Sequence, residues 1–424
     1  MQGAVLQQDA TMSTVNAFVA PNPPASRLHA VSVHDAPRMA ASEEGNAAPI
    51  SVECASGARL LEIESAWRDL VARAHEPNVF MDPALIHVAE RQLSRRCATL
   101  LAWRGETLLG LWAFSIGAPA LLPAPMLSAP AIPYGYLATP VIDRDGDEDV
   151  LQAMLEFIAR DPSLPKTIAL DPIRMDGPTM RALVHVLQAR GVAPCVLAQA
   201  QRPLLQSELD GKQYFEKALS SASRKKLRQH RRRLEEKGKL ELEVWNTPEA
   251  VAQAFEDFLR LEAAGWKGRR GTALLCDRAE AAFVRGMVAA LAERGDAAAH
   301  ALYLDRKPVS MQIVLRAGPA AFTWKTAYDE ALHDFSPGML LLEDYTKAFL
   351  ADDGIAYVDS CAYDDSSFMS AWSERQAIAQ IWIDARRGGS LGFRALCRLQ
   401  KAYLTLRAVA KDGYLSWRRK WKKH

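Results

Sequence analysis

Two polar side chains lie where strand patterns give way to turns in the second half of the sequence. Asp359 ends the apolar run 355–358 and could remove a proton from an attacking amine or hydroxyl. Tyr328 ends the run 321–327 and could protonate a leaving thiolate. A base and an acid of this kind suit the transfer of an acyl group. Two other interpretations stay open, because Asp359 also suits a turn cap and Tyr328 a packing position.

Between these two strands the sequence predicts the start of a helix that could bind an anion. A Ser-Pro-Gly turn precedes an apolar helical stretch that runs to about Leu350. The first N–H groups of a helix have no partner within it and point outward, so they suit a pyrophosphate. The residues expected to hold a cofactor here are Ser336, Pro337, Gly338, Met339 and Leu340.

A Gly-rich run of aromatic and cationic residues is a candidate for substrate contact. Residues 248–264 have helical periodicity, and Gly265 fits the end of that helix. Trp266 and Lys267 follow in a predicted loop that could close over a ligand. The alternative is that Trp266 only covers the core.

Trp324 and Lys325 are further candidates for contact with the acceptor or the pantetheine arm. Both lie within the strand that ends at Tyr328. Because side chains alternate along a strand, we expect the two to point to opposite faces of the sheet.

The densest block of charge, residues 223–238, is predicted to be a largely solvated helix. Leu227 and Leu234 are seven residues apart, Ser223 suits an N-cap, and Gly238 suits the end. Three interpretations stay open: a solvated charged face, a basic wall for the 3′-phosphate of coenzyme A or an acidic acceptor, and a surface for an RNA backbone.

The elements that must position these residues occur twice in the sequence. An amphipathic helix at 60–74 precedes a hairpin at 99–114, and a helix at 248–264 precedes a hairpin at 301–314. This repeated order predicts two similar α/β units rather than one large sheet, joined by a linker around 198–211.

Composition favours a soluble protein of more than one domain. The chain has 424 residues, 49% of them hydrophobic, and a net charge of +2, which argues against a wholly basic nucleic-acid binder. The six cysteines form no Cys-x-x-Cys pair, and no apolar run is long enough to span a bilayer, so we expect a reduced, cytoplasmic protein. The sequence contains no His-Glu-x-x-His motif, and we expect no metal.

The two ends of the chain differ from the rest. Residues 1–48 are rich in Ala, Pro and Ser without apolar periodicity and are predicted to be a disordered tail. Residues 391–424 are predicted to form a basic amphipathic helix, with Trp417 and Trp421 one helical turn apart. Two interpretations of that helix stay open: peripheral contact with the inner membrane surface, and packing against the catalytic unit with a solvated basic tip.

These motifs resemble those of GNAT superfamily acyltransferases, in particular the FemAB-like, CelD-like branch. The resemblance is carried by Tyr328-Asp329, by Pro337-Gly338-Met339-Leu340-Leu341 and by Gly265-Trp266-Lys267-Gly268. It is clear for about 220–372 and fainter for 67–143. The usual pyrophosphate signature of the superfamily, Gln/Arg-x-x-Gly-x-Gly/Ala, is absent from the second unit, and residues 336–340 stand in its place.

The resemblance implies an α/β protein with tandem GNAT-like units and a mixed sheet, at 49–200 and 201–390, the second being catalytic. It implies an N-acyltransferase that uses acetyl-CoA or another acyl-CoA and an amine or hydroxyl acceptor. CelD-like relatives are associated with cellulose or other exopolysaccharide production, so the acceptor could be sugar-linked or belong to the envelope. Two alternatives stay open: a FemAB-like aminoacyltransferase that uses aminoacyl-tRNA, and a non-catalytic accessory protein of polysaccharide synthesis.

Overall fold

The computed structural model describes residues 48–118, 124–365 and 368–421. The predicted tail at 1–48 lies outside these residues, apart from Ala48. The described chain folds into helices packed on both faces of one long mixed sheet. No helix of this part is both long and apolar enough to cross a bilayer.

The first unit comprises residues 51–205. Its helices and strands, in chain order, are β1 Ser51–Ala55, α1 Arg59–Glu62, α2 Glu64–Arg73, α3 Pro83–Leu93, β2 Cys97–Arg104, β3 Thr107–Gly117, β4 Met126–Ala129, β5 Val141–Ile142, α4 Asp147–Arg160, β6 Thr167–Arg174, α5 Pro178–Ala189 and β7 Cys195–Leu205. The predicted helix at 60–74 is therefore two consecutive helices. Its predicted apolar face, which includes Leu60, Trp67 and Leu70, is buried as expected.

The second unit comprises residues 211–384 and is followed by a long terminal helix. Its elements are α6 Gly211–Ala218, α7 Ser221–Glu235, β8 Leu240–Trp245, α8 Pro248–Ala264, α9 Trp266–Arg269, α10 Arg278–Ala292, β9 Ala297–Leu304, β10 Lys307–Ala317, β11 Ala320–Tyr328, α11 Pro337–Leu350, β12 Tyr357–Asp359 and β13 Glu374–Asp384, with α12 Leu391–Trp421 after them. Ser220, not Ser223, caps α7, since its hydroxyl accepts from the Ser223 N–H at 3.1 Å. The stretch predicted as a loop after α8 contains the short helix α9.

The strands of the two units form one continuous sheet, so the expectation of two units without a large common sheet is wrong. Their order is β1-β2-β3-β4-β6-β13-β7-β12-β11-β10-β9-β8, with β5 beside β3. The two units have the same strand order when each is followed inward from its end of the sheet: β1-β2-β3-β4-β6 in the first unit and β8-β9-β10-β11-β12 in the second. The last strands, β7 and β13, are exchanged: β13 pairs with β6 of the first unit, and β7 pairs with β12 of the second.

The predicted linker at 198–211 is also wrong in its first part. Residues 198–205 belong to β7, which pairs with β13 along most of its length. Strand β7 lies near the middle of the sheet because it completes the pairing of the other unit. Only the short segment 206–210 connects the units.

The sheet separates two apolar layers. Helices α3, α8 and α10 pack together on one face, where the rings of Phe322 of β11 and Phe80 meet edge to face with their centroids 5.4 Å apart. Helices α6, α7 and α11 cover the opposite face of the second unit and bury Ala321. Neighbouring residues of β11 therefore face different layers, and the strand lies between them.

Candidate functional site

Two parallel strands of the second unit separate after a short contact. Strand β11 pairs with β12 over residues 320–322 only, opposite 357–359. The part of β11 from Thr323 to Tyr328 continues beyond this pairing, while the chain after Asp359 turns away. The gap thus opens toward the carboxyl ends of the two strands, where ligands commonly bind in α/β proteins.

A β-bulge shapes β11 at this gap. Ile313 of β10 lies opposite Lys325, whereas the next residue, Val314, lies opposite Thr323, so Trp324 is the extra residue. Both Trp324 and Lys325 contact Tyr134: the indole Nε1 donates to the Tyr134 carbonyl at 2.9 Å, and the lysine Nζ lies 4.0 Å from the centroid of its ring. The prediction that the two side chains point to opposite faces is therefore wrong, because the bulge interrupts the alternation.

The Lys325 ammonium lies among aromatic rings contributed by both units. Its Nζ donates to the Tyr136 hydroxyl at 3.0 Å and lies 5.7 Å from the centroid of the Trp324 ring. Burial lowers the pKa of Lys325 to about 8, although the nearby Glu262 carboxylate acts in the opposite direction. A lysine with this pKa changes charge close to physiological pH.

A second lysine lies close to this cluster. The Lys267 Nζ donates to the Glu262 carboxylate at 2.6 Å, and the other oxygen of Glu262 accepts from the Leu274 N–H at 2.9 Å. Burial and the positive charge of Lys325 lower the pKa of Lys267. The structure thus brings together three of the predicted substrate-contact residues: Lys267, Trp324 and Lys325.

Asp359 lies within a buried network of polar contacts. Its carboxylate accepts from Gln376 Nε2 at 2.5 Å and from the Cys361 N–H at 2.7 Å, and it lies 3.3 Å from Arg202 Nη1. Arg202, from the exchanged strand β7, also donates to the carbonyl of Tyr136 at 2.8 Å. These contacts indicate that Asp359 helps to hold the Tyr136 loop against the second unit, and its role as general base stays a prediction.

The predicted anion site lies at the start of α11, at the same end of the sheet. Ser336 adopts a left-handed conformation with φ of 50°, and its carbonyl accepts from the N–H groups of Met339 and Leu340. Among the described residues, the N–H of Gly338 has no hydrogen-bond partner, and no atom lies within 4 Å of the position of a Cβ there. One free amide, at a glycine with open space around its Cβ position, therefore takes the place of the several outward-pointing amides that the sequence predicted.

The basic helix α7 packs beside the start of α11. Arg231 donates to the Asp344 carboxylate at 2.7 Å and approaches the Leu340 carbonyl at 3.4 Å, whereas Arg232 and Arg233 are exposed. Leu227 and Leu234, which are seven residues apart, are both buried. Helix α7 thus contacts the first turns of α11 through Arg231.

Two predicted residues lie outside the Lys325 cluster. Tyr328 is 38% exposed at the end of β11. The backbone N–H of Trp266 donates to Glu330 at 2.5 Å, and its ring lies against Arg270. The roles of both residues in catalysis or substrate contact stay predictions.

The first unit has a counterpart of α11 whose first turn is acidic. Helix α4 follows β4 as α11 follows β11, but its first turn carries Asp147, Glu148 and Asp149. Negative side chains at a helix N-terminus disfavour a phosphate, whereas the first turn of α11 has no acidic residue. The anion site is therefore expected in the second unit alone.

Sequence reasoning missed the residues that the first unit adds to the site. Tyr134 donates to Glu280 at 2.5 Å and Tyr136 contacts Lys325, although both lie far from the second unit in the sequence. The available signal was a Tyr-Gly-Tyr triplet in a Pro-rich run. Among the described residues, no three His, Cys, Asp or Glu side chains are grouped so that they could hold a metal ion.

The fold is a mixed α/β tandem of the GNAT type, and comparison with known proteins agrees with this class. Residues 221–367, which lie in the second unit, match a family model described as an acetyltransferase (GNAT) domain. The CelD-like branch stays a prediction. No curated protein matches the sequence.

Similar solved structures include two with related folds. FemX is 12% identical with a TM-score of 0.53, covering 74% of this chain and 95% of FemX. The C-terminal domain of a putative lysylphosphatidylglycerol synthetase from Agrobacterium fabrum is 13% identical with a TM-score of 0.50, covering 81% of this chain and 97% of that one. At these identities the similarity concerns the fold alone.

Proposed function

We propose that this protein transfers an acyl group from acyl-CoA to an amine or hydroxyl acceptor at the gap between β11 and β12. The observation that carries the proposal is the position of this gap. Helix α11, which carries the free amide of Gly338, packs with α7 on one face of the sheet, and Trp324 of the Lys325 cluster packs against α8 on the other. A donor held by its pyrophosphate at α11 would extend its thioester through the gap toward Lys325.

Lys325 is placed to stabilise the charge that develops during this reaction. Attack on a thioester produces a tetrahedral intermediate whose oxygen is negative, and a preorganised cation beside that oxygen lowers the barrier. With a pKa of about 8, Lys325 is mostly cationic at neutral pH. In this proposal Lys267 and Trp324 contact the acceptor, Asp359 is the candidate base and Tyr328 the candidate acid.

The acceptor would enter from the side formed by α8, α10 and the Tyr134 loop. The carboxylate of Glu280, which accepts from Tyr134, and that of Glu262 lie on this side. Acidic groups favour an acceptor that carries an amine. The sugar-linked or envelope acceptor implied by the CelD-like resemblance belongs to this proposal.

Calorimetry with coenzyme A tests the donor site. Gly338→Val places a branched side chain beside the free amide, where it would obstruct the approach of a pyrophosphate, and we expect it to weaken binding about tenfold or more. Gly117→Val is the matched control, since Gly117 also has no atom within 4 Å of a Cβ and lies in the first unit. Equal affinity of the wild type and Gly338→Val would show that the site lies elsewhere.

The exposed face of α7 supports an aminoacyl-tRNA donor as a second candidate. Arg228, Arg232 and Arg233 are exposed there, whereas Arg231 is engaged with Asp344. If this face binds an RNA backbone, tRNA affinity falls steeply with salt, and replacing the three exposed arginines by Ala weakens it further. Filter binding that detects no tRNA at low salt removes this candidate.

A further inference from the structure

The terminal helix α12 uses only one of its faces to pack against the sheet. Phe393 and Cys397 are buried with Met126, Cys195 and Trp382 at the middle of the sheet. Leu404 is buried on the same side of the helix. The helix is thus attached to the body through its first turns.

A second apolar face of α12 is exposed. Leu399 is 63% exposed, Leu406 70% and Val409 66%, and Tyr403 is also exposed. With 3.6 residues per turn, these four side chains lie within a sector of about 120°, on the side of the helix away from the buried residues. We call them the apolar stripe.

Basic residues flank the apolar stripe on both sides. Arg394, Arg398 and Lys401 are exposed along one edge, and Arg407 is exposed along the other. The sequence from 391 to 424 contains ten Lys and Arg against one acidic residue, Asp412, although the whole chain has a net charge of only +2. Positive charge is therefore concentrated at this end of the chain.

We propose that α12 lies on the surface of a bilayer that contains anionic lipids, with the apolar stripe in the interface and the basic edges at the headgroups. An exposed apolar sector bordered by Lys and Arg is the pattern of helices that lie in such an interface. A second copy of the chain fits less well, because pairing two such stripes would bring the basic edges of both copies together. This inference goes beyond the proposed acyl transfer and does not depend on it.

Vesicle sedimentation of the full chain tests the proposal. We expect the wild type to bind mixed phosphatidylcholine–phosphatidylglycerol vesicles at low salt, to bind less at high salt, and to bind pure phosphatidylcholine poorly. Leu399→Gln with Leu406→Gln removes two exposed leucines of the stripe and should weaken binding about tenfold or more. The matched control is Leu61→Gln with Leu242→Gln, which removes two exposed leucines elsewhere on the surface and should leave binding unchanged.

Light scattering and thermal unfolding of the same proteins complete the test. The stripe variant is expected to unfold at the wild-type temperature, because the replaced side chains are exposed. Equal vesicle binding by the wild type and the stripe variant would overturn the proposal, as would equal binding to neutral and anionic vesicles. A wild-type dimer that the stripe variant converts to monomer, without vesicle binding by either, would assign the stripe to a second copy instead.

Discussion

Lys325 provides the most direct test of the proposed chemistry. Its ammonium is held at the gap between β11 and β12 by Tyr134 and Tyr136. Lys325→Met keeps the length of the side chain and removes the charge, so we expect turnover to fall about a hundredfold to a thousandfold. Coenzyme A affinity, measured by calorimetry, should change little.

The pH dependence of turnover follows from the same residue. Because burial lowers the pKa of Lys325 to about 8, the cation is present below this pH and is lost as pH rises through it. Turnover should therefore decline above about pH 8, and Lys325→Arg, which stays charged, should not show this decline. A rise in turnover through the same range would make Lys325 a general base instead.

The buried pair of Asp359 and Arg202 predicts a large effect on stability. Asp359→Asn leaves the Arg202 guanidinium buried without its counter-charge, which typically costs about 3–5 kcal/mol. The matched control is Asp352→Asn, since Asp352 and Arg316 are also 3.3 Å apart but partly exposed, and such pairs contribute about 1 kcal/mol or less. Urea unfolding of both variants gives the comparison.

The same substitution tests Asp359 as a general base. If Asp359→Asn stays folded at the assay temperature, loss of a base should lower turnover about a hundredfold to ten-thousandfold while coenzyme A binding persists. A folded variant with wild-type turnover would assign Asp359 to the positioning of the Tyr136 loop alone.

At the level of single residues, the sequence identified side chains but not their neighbours. Trp324, Lys325 and Lys267 are predicted to contact substrate from their type and local pattern, and that role stays a prediction. Their relative orientation depends on a bulge that only the register between β10 and β11 defines. Tyr134 contacts Lys325 from the other unit, and no local pattern contains that information.

At the level of elements, the hairpin turn between β9 and β10 contains a residue whose replacement should stabilise the fold. Asp305 and Arg306 connect β9 to β10 with φ of 48° and 65°, a conformation that glycine adopts more easily than arginine. Arg306→Gly should raise the free energy of unfolding by about 1 kcal/mol, seen as a higher urea midpoint with an unchanged slope.

The corresponding hairpin of the first unit supplies the reverse experiment. Gly105 has φ of 60°, and no atom lies within 4 Å of a Cβ there, so Gly105→Ala changes only the ease of adopting that conformation. It should lower stability by a similar amount, about 1 kcal/mol. Equal stability of both variants and the wild type would show that backbone strain in these turns has no effect.

Strong local patterns predicted whole elements well. Helix α8 has the predicted bounds, since its apolar period, its first-turn proline and the following glycine agree. Strand β7 was mistaken for a linker, because residues 198–202 include polar side chains and Pro203 cannot donate to a ladder. It is a strand because it pairs with β13, almost two hundred residues away.

At the level of the whole molecule, the exchange of β7 and β13 makes each unit depend on the other. Without β7, strand β12 of the second unit would have an unpaired edge, and β13 would lose one of its two partners. Because Arg202 lies on β7, loss of this strand would also leave the Asp359 carboxylate without its counter-charge. The candidate site thus depends on contacts that cross between the units.

This dependence predicts the behaviour of a chain divided within the connection 206–210. Division into residues 49–207 and 208–424 cuts the chain between the half-buried Ser207 and the exposed Glu208, so no helix or strand is broken. Expressed alone, each half should aggregate or fail to unfold cooperatively, because it exposes an unpaired strand edge and apolar surface. Expressed together, with an affinity tag on one half only, the halves should copurify in equal amounts and bind coenzyme A. Cooperative unfolding and coenzyme A binding by 208–424 alone would show that the second unit is independent of the exchanged strand.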